Sequence, residues 1–324
     1  MWRMPARPKP TGVNVPVVSV INYKGGVGKT TLTANLGAEL AWRGRRVLLM
    51  DLDAQSSLTF SLVKPDDWRT RLATDKTILK WYESFRQGDP VPLKDLVLTP
   101  SSVGTRLALA KSGGQLDLIP SHLGLINVDL ELATELGGAS MKQAKHNYIR
   151  VHRRLADGLD DPYFSQYDVV LIDCPPNFNV VTKTAIVASD HVLIPAKADY
   201  LSTLGIDYLL RSLNELVSDY NEFASLESPG ETASPPIGPQ ILGVVFTMLQ
   251  IYGGRPISAL RPYIAQTKRL GVTVFDSHMR ENKTLFSDAP AYGVPVVLDG
   301  NSGAQHIVDE LEALVTEFEN RAGL

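Results

Sequence analysis

Cysteine is almost missing from this sequence: Cys174 is the only one in 324 residues. A lone thiol excludes an internal disulfide and any multi-cysteine metal site within one chain, and it points to a reducing compartment. Long apolar runs are missing too. No stretch approaches the roughly 20 residues that a membrane-spanning helix needs, so no membrane partner is expected. The opening MWRMPARPKPTG is basic and proline-rich but lacks the apolar core of a secretion signal, and residues 1–14 are expected to form a flexible basic arm. The expected location is cytoplasmic. Excess charge is absent as well. With a formal net charge of −3, the molecule as a whole does not attract a polyanion, so any nucleic-acid contact must come from a local patch.

What is present is ordinary globular material, 44% hydrophobic and 21% charged, enough for a sizeable core. Strand-like runs fall at Val17–Ile21, Val47–Leu52, Leu116–Ile119, Val169–Ile172, His191–Ile194 and Ile241–Thr247. Between the first two, Leu32, Leu36 and Leu40 recur at four-residue spacing, which predicts a helix over Lys29–Arg43 stopped by Gly44. Alternation of this kind implies an α/β fold, a doubly wound and mostly parallel sheet with helices on both faces. Residues 15–324 are read as one domain. Residues 60–165 form its longer helical segment, with helices predicted near Ile78–Arg86 and from His122 to about Leu155. The turn-rich stretch 225–239, around SLESPGETASPPIGP, is expected to be a mobile surface loop. At the end, Ile307, Leu311, Leu314 and Phe318 share one face of a predicted helix over Ala304–Arg321 whose other faces are acidic. That pattern fits a docked terminal helix, whereas a membrane-surface helix would carry Lys and Arg there.

The richest stretch is NYKGGVGKTT, residues 22–31. A strand, then glycines, then Gly-Lys-Thr opening a helix is the architecture of an anion site, because the unpaired N–H groups at a helix start carry partial positive charge. Gly25, Gly26 and Gly28 let the backbone wrap around phosphate oxygens. Lys29 can reach the β- and γ-phosphates, and the Thr30 hydroxyl can ligate Mg²⁺. The loop departs from the generic phosphate-binding pattern: Tyr23 stands at the usual first glycine, and a second lysine, Lys24, follows it. Two ammonium groups in one small loop repel each other unless anionic charge lies between them.

KGGVGKT at 24–30 resembles the deviant Walker A motif of the ParA/MinD ATPases, and further segments are similar to that family. VLLMDLDAQSSLT, residues 47–59, resembles the switch I strand usually written DxDPQ, with Ala54 in place of proline. DVVLIDCPPNFNVVTKTAIVASDHVLIPAKADYLSTLGID, residues 168–207, resembles the Walker B strand, switch II and the following helix. TLFSDAPAYGVPVV, residues 284–297, is similar to the EAPSHGxPV segment. The similarity is weak across residues 60–165.

This resemblance implies a P-loop ATPase of the deviant Walker A type that uses ATP and Mg²⁺ and has weak basal turnover. Lys24, Gly25, Gly26, Val27, Gly28, Lys29, Thr30 and Thr31 would hold the phosphates, and Thr247 and Met248, with the segment near Met279, would meet the adenine. Thr30, Asp53 and Asp173 are the expected metal-site oxygens. Lys24, Lys29 and Asp53 are the expected catalytic groups, Asp53 orienting the attacking water. Asp51 lies two residues earlier, and in an extended segment both carboxylates point to one side, so the sequence does not fully separate the two. Lys24 would cross the interface of an ATP-bound sandwich homodimer to the partner's phosphates, much as an arginine finger does.

Positive charge gathers in two places. Arg255, Arg261, Lys268, Arg269, Arg280 and Lys283 stand against Asp276 and Glu281. Lys142, Lys145, Arg150, Arg153 and Arg154 have no acid among them, and a solvated helix face is the plain reading of that run. For the first cluster the resemblance implies nonspecific DNA binding on the nucleoid, through Arg255, Lys268, Arg269, Arg280 and Lys283, by phosphate contacts without sequence readout. It further implies a centromere-binding, ParB-type partner that stimulates hydrolysis while plasmid, chromosome or other cargo is positioned. Other branches fit less well. A MinD-like membrane cycle needs a basic amphipathic terminus, and this chain ends DELEALVTEFENRAGL. An iron-protein role needs two cysteines per chain, and an autokinase a terminal tyrosine cluster beyond Tyr292. About 15 residues before the first strand are too few for a helix-turn-helix. A nucleotide-gated scaffold with negligible turnover remains as the alternative to an enzyme.

Overall fold

The computed structural model describes residues 15–225, 234–286, 293–300 and 305–324. Six strands form one sheet: β1 (Val17–Val20), β2 (Arg46–Asp51), β3 (Gln115–Ile119), β4 (Val169–Asp173), β5 (His191–Ala196) and β6 (Gln240–Phe246). Their spatial order is β3-β2-β4-β1-β5-β6, and every pairing is parallel. The chain runs from β1 outward to β2 and β3, returns to insert β4 beside β1, then continues past the other side of β1. The order therefore reverses around β1, which is where an open parallel sheet leaves a crevice at the carboxyl ends of its strands.

Both faces of the sheet are covered, so the strands are mostly apolar on both sides, and successive residues enter different cores. Val18, Val20, Leu49 and Leu171 face one core with the helix α1 (Lys29–Trp42) and the C-terminal helix Gln305–Ala322. Val17, Met50, Val170 and Ile172 face the other, with the helices Ile78–Gln87, Leu125–Glu135, Met141–Leu159 and Tyr200–Ser225. Gly37 lets α1 lie close to the sheet: a Cβ there would sit 2.7 Å from Leu49 Cδ2. The terminal helix buries Ile307, Leu311, Leu314 and Phe318 as the spacing predicts.

The segment between β2 and β4 differs from expectation. The helix predicted from His122 to about Leu155 is two helices, Leu125–Glu135 and Met141–Leu159. The break falls at Gly137 and Gly138, and Ser140 restarts the chain as an N-cap, its side chain accepting from Gln143 N. Apolar period alone misses this because both helices turn an apolar side to the same core. The segment also holds the helix Ser101–Ala110. Of the turn-rich stretch at 225–239, residues 226–233 lie outside the described residues, as do residues 1–14 and part of the segment 284–297.

Candidate nucleotide site

The glycine loop leaves β1 at its carboxyl end and enters α1. Gly26 and Gly28 have φ of 66° and 76°, a left-handed backbone that other L-residues adopt only at a cost. The fully buried Asn22 holds the loop's entry. Its amide donates to Pro195 O at 2.8 Å, and its Oδ1 accepts from Lys24 N at 3.0 Å. On the far side, the buried Thr247 hydroxyl donates to Val27 O at 2.6 Å. The loop is thus pinned to β5 and β6 before any ligand arrives.

Lys29 and Lys24 part company here. Lys29 is buried, with Nζ 3.4 Å from Lys24 O. Burial lowers its pKa, opposed by the carboxylates of Asp173 and Asp53. Lys24 turns the other way: its Nζ lies 2.6 Å from Asp199 Oδ2 and 3.4 Å from Ser202 Oγ, at the start of the Tyr200–Ser225 helix. The two cations answer to different carboxylates, which relieves the repulsion that the sequence raises.

Register brings the acids together. Asp51 at the end of β2 stands opposite Asp173 at the end of β4, and Asp173 stands opposite Val20 of β1. Thr30 Oγ1 donates to Asp173 Oδ2 at 2.7 Å. Asp173 is fully buried, and its Oδ1 has no hydrogen-bond partner. Burial, with Asp51 nearby, holds its carboxyl well above the usual carboxylate range. A hydroxyl and a carboxylate with an orphaned oxygen, beside a second half-buried carboxylate, form a hard-oxygen donor set. It suits Mg²⁺, which takes few protein ligands and keeps its waters. Thr30 and Asp173, with Asp53 near, would hold such an ion, and its charge would relieve the crowded carboxylates.

The structure also separates Asp51 from Asp53. Asp51 is fully buried, and its oxygens are taken: Oδ2 accepts from Thr59 N at 2.8 Å and Thr59 Oγ1 at 2.7 Å, and Oδ1 from Asp53 N at 3.1 Å. Burial pushes it up to about 7. Thr59 Oγ1 in turn accepts from Ser121 N, and Ser121 Oγ donates to Asp53 O. Asp51 is therefore a strut of the switch I turn. Asp53 is half-buried and uses Oδ1 for Gln55 N, so unlike Asp51 it keeps part of its carboxylate toward solvent. Cys174 is buried and its thiol is pushed up to about 12, which makes it inert packing.

A cleft of 360 Å³ opens beside the loop, lined by Gly28, Thr31, Thr247, Met248 and Met279, as expected, and also by Lys197, Asn282 and Phe286. The last three escape the sequence reading. Lys197 carried a usable signal, since it directly follows β5 at the ligand-binding edge of the sheet. Asn282 opens a helical stretch, described over residues 283–286, that holds Phe286, and one turn is too short to show a period. Arg280 and Lys283 line the same cleft, so they sit beside the nucleotide loop and not on a separate surface. Arg280 is paired with Glu310, its Nε lying 2.9 Å from Oε2, which neutralises its charge. Arg255, Lys268 and Arg269 are exposed, with no ion pair among the described residues. The run 142–154 is a solvated face only in part: Lys142 and Arg150 are exposed, while Arg153 is half-buried and Arg154 buried. Arg150 and Arg154 pair with Glu135, and Arg153 with Asp157 and Asp160. Arg154 is buried over the Phe85 ring.

A glycine loop at the sheet's reversal point, opening a helix whose Thr30 hydroxyl donates to Asp173, defines a P-loop nucleotide-binding protein. A family profile described as AAA domain matches residues 15–226. The chromosome partitioning protein ParA of Caulobacter vibrioides is 32% identical over 286 residues, 87% of this chain and 86% of that one. Apo McdA from Cyanothece superposes with a TM-score of 0.65 at 25% identity, covering 94% of this chain and 99% of the other. Cobyrinic acid a,c-diamide synthase of Mycobacterium smegmatis, bound to an ATP analog and magnesium, gives 0.57 at 25% identity, covering 90% and 96%. The chain belongs to the ParA/MinD-type P-loop ATPases.

Proposed function

We propose that residues 15–324 form one ATPase domain of the partition type, switched by ATP between a monomer and a sandwich homodimer that binds DNA without sequence preference. Thr30 and Asp173 would hold a Mg²⁺ whose charge would neutralise the phosphates; Lys29 contacts the phosphates, Asp53 orients the attacking water, and Lys24 is delivered to the partner's nucleotide. Turnover is slow until a centromere-binding partner protein engages the DNA-bound dimer. The location follows from that cycle: cytoplasm, on nucleoid DNA.

The observation that carries this reading is the outward turn of Lys24, whose ammonium lies at the start of the Tyr200–Ser225 helix and away from its own Lys29. The same helix exposes Tyr200 (56%), Leu201 (64%), Leu204 (48%) and Tyr208 (62%). Tyr23, next to Lys24, packs on Tyr208 with ring centroids 5.1 Å apart. Apolar surface of this size beside a lysine meant for a second subunit supports self-association there. Arg255, Lys268 and Arg269 supply the DNA-facing charge in this reading. The Gln305–Ala322 helix buries its apolar face in the core, so it does not offer that face to a membrane. No helix among the described residues is long and apolar enough to cross a membrane.

The test is DNA binding and sedimentation with ATP, ADP and no nucleotide, each at two salt concentrations, with ATP turnover measured in parallel. Salt-sensitive, sequence-indifferent binding by an ATP-dependent dimer is the expected result. A protein that stays monomeric with ATP on and off DNA overturns the dimer. A dimer with no turnover, even on DNA, leaves the nucleotide-gated scaffold.

A further inference from the structure

The turn Cys174–Asn179 connects Asp173 to the helix Val180–Ala188. That helix starts without a side-chain cap of its own, since Asn179 at the N-cap makes none. The missing acceptor comes from another helix. Asp129, on Leu125–Glu135, accepts from Val181 N at 2.8 Å through Oδ1, and its Oδ2 accepts from the Asn179 side-chain amide. Asp129 is held in place by its neighbours: Leu125, Val128 and Leu132 are buried in the core on the same helix. Its carboxyl is pushed up to about 6 by burial, against the pull of the two backbone N–H groups it faces. A carboxylate even partly withdrawn from water is costly unless its hydrogen bonds are made, and both oxygens of the half-buried Asp129 are committed to the end of the turn.

Within the turn the other side-chain bonds are long. Asn179 N lies 3.5 Å from Asn177 Oδ1, and Thr182 Oγ1 lies 3.1 Å from the same oxygen. Phe178, next to Asn179 near the turn's far end, packs on Tyr23 of the glycine loop, ring centroids 5.8 Å apart. The turn therefore starts at the Asp173 carboxylate, and its far end both touches the loop that carries Lys24 and is fastened by Asp129.

We infer that Asp129 is a positioning residue for this turn: by capping the Val180–Ala188 helix from outside, it fixes where Asn177–Asn179 sits relative to the nucleotide loop. It touches neither the phosphates nor the metal site, and acts through the turn. The inference rests on the ATPase reading only in its kinetic consequence; the anchoring holds whether or not ATP is turned over.

The experiment uses full-length Asp129→Ala and Asp129→Asn, the second being isosteric and keeping one acceptor. Amide hydrogen exchange is followed without nucleotide and with ATP and Mg²⁺. In Asp129→Ala, exchange across residues 177–182 should rise about ten-fold, as loss of a helix cap predicts, while α1 and β4 keep wild-type exchange. Asp129→Asn should fall between. ATP turnover should drop about ten-fold through kcat with KM within about two-fold, because positioning and not binding is lost. Unchanged exchange at 177–182 overturns the inference, and so does a rise spread evenly over the whole molecule, the mark of simple destabilisation. Wild-type kcat in Asp129→Ala overturns the kinetic link. A wild-type protein that never turns ATP over fails the ATPase reading instead, and the exchange measurement still decides the anchoring.

Discussion

Lys24 Nζ and Asp199 Oδ2 lie 2.6 Å apart, with side chains 30% and 39% exposed. The pair joins the first residue of the signature motif to the start of the Tyr200–Ser225 helix, 175 positions away. It parks the lysine within its own subunit, in a contact shallow enough to be exchanged for a phosphate.

A pair this exposed contributes about 0–1 kcal/mol, so Lys24→Ala should melt close to the wild type. The variant should bind ATP but lose ATP-dependent dimerisation and hydrolysis. Fluorescent-nucleotide titration, sedimentation and phosphate release measure the three separately. A Lys24→Ala protein that hydrolyses ATP normally would sink the trans role.

Asp51 and Asp53 should fail in different ways. Asp53→Ala should keep stability and ATP binding and lose turnover, by about 100-fold or more. Asp51→Ala strands Thr59 N and Asp53 N, which Asp51 satisfies, and should cost about 2 kcal/mol of stability. Urea unfolding and steady-state ATPase distinguish the two. Equal stability losses would contradict the division of roles.

Leu201→Glu and Tyr208→Glu place charge on the exposed apolar face beside Lys24. ATP-dependent dimerisation should weaken by about ten-fold or more, while the nucleotide affinity of the monomer is kept. Dimers that form as before would mean the face serves something else.

For DNA, each of Arg255→Ala, Lys268→Ala and Arg269→Ala should reduce the slope of log affinity against log salt by about one. Lys142→Ala and Arg150→Ala should leave it alone. A slope that responds only to the second pair would move the nucleic-acid face to the Met141–Leu159 helix.

His152 predicts acid sensitivity. It is fully buried, its Nδ1 lies 2.8 Å from Tyr148 O, and burial, with a smaller push from Lys183, drives its pKa down to about 4 from 6.5. The folded state holds the ring neutral while the unfolded chain takes up a proton. Stability from this group is therefore full above about pH 6.5 and is lost as pH falls toward 4, on the order of 3 kcal/mol in all. His152→Phe should flatten that part of the curve in urea unfolding followed from pH 7.5 to 4.5. An unchanged curve would rule the group out.

Much of the architecture was legible from the chain. Five of the six strand expectations differ from the observed spans by no more than one residue at either end, because strands buried on both faces read as short, largely apolar runs. β5, expected as His191–Ile194, runs on to Ala196. The glycine loop was legible because its function resides in consecutive backbone N–H groups. The boundary between the Leu125–Glu135 and Met141–Leu159 helices was not, since a two-glycine break between helices sharing one core leaves the apolar pattern almost continuous. Lys197, Asn282 and Phe286 were missed at the cleft because they meet only after β5 and the segment beyond β6 fold over the loop.

The sequence by itself determined the phosphate loop, the parallel sheet and the acids at the strand ends, all properties of short contiguous stretches. Only the tertiary structure decided which acid is a buried strut and which stays half-exposed, where Lys24 rests, that Arg150, Arg153 and Arg154 are paired with acids, and that Asp129 caps a helix far along the chain. Those outcomes depend on burial and on charges meeting across the fold, and a carboxylate's role changes with its exposure to water in a way its neighbours in sequence do not record.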